Sequence, residues 1–112
     1  MLPSRALKYI LDIDSVIREI EEVKESVKND FDIFKQDLKA TRAIERQLEI
    51  IGEAATKLHQ IDPSVKITGI KSIISLRNYI IHAYDSVDLE ILWGIVQKDV
   101  PILKQEIKSL RT

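Results

Sequence analysis

Cysteine is absent from the sequence, and glycine and proline are scarce at three residues each. The first absence excludes a disulfide framework and thiolate metal sites, and it fits a reducing cytosol. The second goes with a helical protein, because a chain with 45% apolar and 31% charged residues and so few turn formers is unlike a disordered or β-rich one. Long hydrophobic runs are also missing. No apolar stretch reaches transmembrane length, and the start of the chain lacks the basic-then-apolar pattern of a secretory signal, so a soluble cytoplasmic protein with no membrane partner is expected. At 112 residues the chain suits a single domain spanning 1–112.

The net charge of −1 gives no broad electrostatic footprint for nucleic acid. Its distribution is uneven. From Pro63 through Tyr84 there is no Asp or Glu, while Lys66, Lys71, Arg77 and His82 supply positive charge. That segment can attract a phosphate locally although the whole molecule does not.

What is present is helical periodicity. Tyr9, Ile10, Ile13, Val16, Ile17, Ile20, Val23 and Val27 recur at three and four, which predicts a first helix capped by Ser4 and ending near Lys28. Asn29 and Asp30 form a turn and a new cap. Phe31, Phe34, Leu38, Thr41, Ile44, Leu48, Ile51, Ala55 and Leu58 then carry the stripe to about His59, with a break expected between Asp37 and Thr41. Gly52, in mid-pattern, suggests close helix packing. The "IDPS" run, residues 61–64, stops the helix because the residue before a proline is pushed out of the α region. A third helix is expected from Gly69 or Ile70 to Tyr84. Asp88 caps a fourth that carries Leu89, Leu92, Trp93 and Val96. Pro101 interrupts it, giving either a kink or a last segment capped by Asp99. The fold class is therefore all-α, an up-and-down bundle of four to five helices.

The third helix holds an unusual group of side chains, "SLRNYIIHAYD", residues 75–85. With Arg77 at zero and about 100° per residue, Asp85, Asn78 and His82 fall at roughly 80°, 100° and 140°. Tyr79, Ala83, Leu76, Ile80 and Ile73 lie opposite and face the core. Ile70, Ile74 and Ile81 fall among the polar residues, so another helix or a second copy must cover them. A two-fold contact there brings both copies of Arg77 and His82 into one composite cleft.

Asn78 and His82 are four residues apart and can touch, which lets the amide hold a histidine tautomer. Histidine titrates near neutrality and arginine presents a planar fork to phosphate oxygens. The pair suits phosphodiester cleavage in RNA, where the 2′-hydroxyl is an internal nucleophile and the protein supplies only acid-base help and charge stabilisation, with no metal or other cofactor. Surface pairs of Arg and His are common, however, and Trp93, Tyr79 and His59 all have ordinary packing or helix-dipole roles. Glu45, Glu49 and Glu53 share a face but lack the following histidines of a di-iron bundle.

"RNYIIHAY", Arg77 through Tyr84, resembles the Arg, four residues, His, one residue, Tyr signature of HepT-like toxins in the HEPN superfamily. "AIERQLEIIGEAATKL", residues 43–58, is similar to that family's long-helix segment, and "LKYILDIDSVIREIEE" to its first helix. The run Ile67 to Leu76 departs from the family, whose members commonly carry a Trp and a Gly before the Arg-Asn pair. The resemblance implies an all-helical homodimer that acts as a ribonuclease, the toxin of a type VII-like toxin-antitoxin pair. It implies Arg77 and His82 as catalytic residues with Asn78 in support. It also implies a partner, an MntA-like minimal nucleotidyltransferase, that transfers AMP to Tyr84. Two other classes are left open by the residues themselves: a noncatalytic module that docks a nucleotidyltransferase, and a helical domain that binds a free nucleotide.

Overall fold

The computed structural model describes residues 4–65, 67, 68, 71, 73–75 and 88–111. Every regular element among them is an α-helix, as the periodicity predicts. Helix α1 spans Ser4–Ser26, α2 Phe31–Gln36 and α3 Leu38–Ile61, and the last helix spans Leu89–Arg111. Lys71, Ile73, Ile74 and Ser75 are also helical. No helix among the described residues is long and apolar enough to cross a membrane.

Local chemistry sets the boundaries. Ser4 is itself helical and opens α1. That helix stops at Ser26, two residues short of the expected Lys28, because Lys28 and Asn29 take positive φ values of 57° and 52°. Left-handed backbone cannot continue a right-handed helix, and asparagine tolerates it better than most residues. Asp30 then accepts the Ile33 amide and starts α2. Asp37 ends α2 and caps α3 at once, its Oδ1 accepting the Ala40 amide at 3.0 Å, so the break expected between Asp37 and Thr41 falls on Asp37. Of the two outcomes expected at Pro101, a kink or a separate segment capped by Asp99, the second does not occur: one helix runs through Pro101 and Asp99 lies inside it. The missing proline N–H leaves the Gln97 carbonyl without its helical donor. Val100, Leu103 and Ile107 are buried around the break, and their packing holds the helix together.

The core is aliphatic. Ile10, Ile13, Ile17 and Ile20 of α1 meet Ile44, Leu48, Ile51 and Leu58 of α3, with Leu92, Val96, Leu103 and Ile107 of the last helix closing over them. Each fully buried Leu or Ile contributes about 1.5–3 kcal/mol relative to exposure. Gly52 is buried, consistent with the close packing expected there. Trp93 is a packing residue: its ring lies 4.7 Å from that of Phe34 and 6.2 Å from that of Phe31, centroid to centroid.

Polar ties fix the direction of the last helix against α1. Arg111 reaches Asp14, Lys104 reaches Glu21, and Gln97 reaches Asn29. As numbers rise on one element they fall on the other, so the two helices are antiparallel.

Candidate functional site

Arg77, Asn78, His82 and Tyr84, together with Ile70 and Ile81 of the expected dimer seam, lie outside the described residues. What the structure gives is the frame on either side of them.

On the approach, Asp62 closes α3 and folds the chain back on itself: its Oδ1 accepts the Ser64 amide at 3.1 Å, and its carbonyl accepts the Val65 amide at the same distance. Asn and Asp side chains make such turns by mimicking a backbone carbonyl. The Thr68 amide then donates to Glu106 Oε2 of the last helix at 2.7 Å, across 38 residues of sequence. The first helical positions follow. Ile73 is fully buried, on the core face as expected, while Lys71 and Ser75 are exposed.

On the exit, Asp88 caps the last helix as predicted. Its Oδ1 accepts the Glu90 amide at 2.9 Å and the Ile91 amide at 3.3 Å. A single carboxylate thus satisfies two of the donors that a helix start leaves unpaired.

Ile74 is half-buried and borders a groove of about 540 Å³ whose walls include Leu58, His59, Val65, Ile67 and Lys71. The groove is mainly apolar, and Lys71 and His59 are the basic residues on its walls. His59 occupies the last turn of α3, where a positive charge complements the helix dipole.

The glutamate row on α3 behaves as a charged face. Arg46 pairs with Glu49 at 3.7 Å and Lys57 with Glu53 at 3.4 Å. Burial pushes the Glu45 carboxyl above its ordinary value, with Arg42 opposing the rise and Glu49 adding to it. No group of three His, Cys, Asp or Glu able to hold a metal ion occurs among the described residues.

Sequence reasoning missed two features. One is the Glu106 contact with Thr68. The other is a groove of about 470 Å³ between α1 and the last helix, lined by Asp14, Arg18, Lys104, Lys108 and Arg111. The spacing of Lys104, Lys108 and Arg111 on one helical face was a visible signal, but nothing in the sequence says that Arg18 joins them.

Residues 13–110 match the family model described as "Ribonuclease HepT-like". A probable ribonuclease HepT of Thermococcus cleftensis is 35% identical over 107 residues, covering 92% of this chain and 93% of that protein. A probable RNase of Caldanaerobacter subterraneus subsp. tengcongensis is 33% identical, covering 88% of this chain and 89% of its own. A third relative, a probable RNase of Methanocaldococcus jannaschii, is 34% identical, with 89% and 91% covered. No solved structure gives a significant match. With the matched region running from α1 through the Arg77 to Tyr84 signature to the end of the last helix, the chain belongs to the HepT-like ribonuclease family.

Proposed function

We propose that this protein is an endoribonuclease that cleaves RNA without a metal, using Arg77 and His82 in the composite cleft of a homodimer. The observation that carries the reading is the family match across residues 13–110, which contains the whole Arg77, His82 and Tyr84 signature. The substrate's own 2′-oxygen attacks the neighbouring phosphorus and the bond to the 5′-oxygen breaks, leaving a 2′,3′-cyclic phosphate and a 5′-hydroxyl. His82 carries the proton that this exchange moves. Arg77 stabilises the extra negative charge on the phosphorane, and Asn78 holds the His82 ring in the working tautomer.

Within the family frame, the whole chain acts as one cytoplasmic HepT-like domain and as the toxin of a toxin-antitoxin pair. A minimal nucleotidyltransferase neutralises it. The Tyr84 hydroxyl attacks the α-phosphate of ATP, pyrophosphate leaves, and AMP stays on the ring. Ile70, Ile74 and Ile81 form the seam between the two copies.

The test is cleavage of a labelled RNA by the purified protein and by Arg77→Ala and His82→Ala in chelator. The wild type cuts, and each variant loses at least about a hundredfold, the usual contribution of acid-base or charge-stabilising groups. A wild type that leaves RNA intact, or variants that cut as fast as it does, overturns the reading.

A further inference from the structure

The groove between α1 and the last helix concentrates positive charge on a molecule whose net charge is −1. Arg18 and Arg111 both donate to the same oxygen, Asp14 Oδ2, so one carboxylate holds two guanidiniums. Lys104 pairs with Glu21 at 2.6 Å, and Lys108 has no ion pair among the described residues. Four cations therefore face two carboxylates, a local excess of two positive charges. The carboxylate is the more buried partner: the Asp14 side chain is 18% exposed, against 69% for Arg18 and 40% for Arg111. Each guanidinium offers five N–H donors, and one contact to Asp14 leaves most of them for a ligand.

We propose that this groove is an RNA-backbone site, holding a phosphodiester of the substrate through Arg18, Lys108 and Arg111 while another part of the same strand is cleaved. The inference rests on the ribonuclease reading. Chemistry selects the occupant. The lining has no apolar side chain, which disfavours a lipid surface. Planar guanidiniums held by a half-buried carboxylate match phosphate oxygens, and a polyanionic strand gains from a local excess of charge that the rest of the molecule lacks. Asp14 serves as a positioning residue that keeps both arginines at the groove.

The experiment measures binding of a fluorescein-labelled single-stranded RNA by anisotropy, in a His82→Ala background so that the strand stays intact. Lys108→Glu and the neutral Lys108→Gln are compared with Lys98→Glu, an exposed lysine of the same helix outside the groove. Lys108→Glu is expected to weaken binding about five- to tenfold at roughly 0.1 M salt, and to reduce the slope of log affinity against log salt by about one. Lys98→Glu, with the same change in net charge, should stay within about twofold. Equal effects of the two reversals overturn the proposal, since only bulk charge then matters. RNA binding that survives Lys108→Glu while capture of the nucleotidyltransferase is lost also overturns it and makes the groove a protein contact. If the wild type cleaves RNA and the Lys108 variants bind normally, the groove proposal alone falls. If the wild type neither binds nor cleaves RNA, the ribonuclease reading falls with it.

Discussion

Glu106 Oε2 accepts the backbone amide of Thr68 at 2.7 Å, tying the last helix to the loop that leads into the signature-bearing segment. The bond is charge-assisted, and Glu106 Oε1 is buried with no hydrogen-bond partner among the described residues. A carboxylate kept in such a place by one backbone N–H is an anchor for the loop. Glu106→Ala should cost about 1.5–3 kcal/mol, the range for hydrogen bonds to charged groups, measured by urea unfolding. Glu106→Gln keeps an acceptor and should cost less. Equal loss in both variants would show that charge, not the acceptor, matters.

Glu45 gives a pH signature. Burial raises its folded pKa above the ordinary glutamate value, so the folded state holds the proton more tightly than the unfolded chain does. Stability from this group is therefore greatest at acid pH and falls as pH rises from the unfolded value through the raised folded one. Glu45→Gln removes the ionisation. Its urea midpoint should exceed the wild type's at pH 7, and the gap should close toward pH 4. A gap that widens on acidification would contradict the sign.

How much of this was legible in the sequence varies with the range of the interaction. The helix starts at Asp30 and Asp88 could be read because a cap acts over three residues, whereas near Asp37 only a break was expected and not the cap that Asp37 provides. The end of α1 was misplaced by two residues because the Val23 and Val27 stripe continues past the left-handed turn at Lys28 and Asn29, and Val27 is buried from outside the helix. Pro101 reads locally as a break. The long apolar face of the last helix overrides it. Least legible were Glu106 with Thr68 and Arg18 with Arg111 around Asp14, since each pairs residues far apart in sequence. The family was legible by resemblance, while the Arg77 to Tyr84 signature and its expected wheel positions lie outside the described residues.

Oligomeric state tests the seam. Ile74 is half-buried beside an apolar groove, and Ile70 and Ile81 share its side of the helical wheel. Replacing Ile74 and Ile81 with Asp would place charge at the proposed contact, which should convert a dimer into monomers in sedimentation velocity. A dimer that survives the double change puts the interface elsewhere.

Tyr84 is the expected switch. On the helical wheel expected from the sequence Tyr84 falls about 20° from Arg77, so under the proposed function an AMP on its hydroxyl would set a phosphate where it can pair with the guanidinium and repel the RNA backbone. After incubation with the nucleotidyltransferase and ATP, mass spectrometry should find the adduct on Tyr84, and Tyr84→Phe should keep its cleavage activity under the same treatment. An adduct on Tyr9 or Tyr79 instead would displace the assignment.

The most direct measurement compares two oligonucleotides of one sequence in chelator, all-RNA and the same strand with 2′-deoxyribose throughout. With the 2′-oxygen as nucleophile and His82 as proton carrier, the wild type cuts the RNA to 2′,3′-cyclic phosphate ends and spares the deoxy strand, and His82→Ala cuts neither. Cleavage of both strands at similar rates, or an undiminished His82→Ala, would contradict the account.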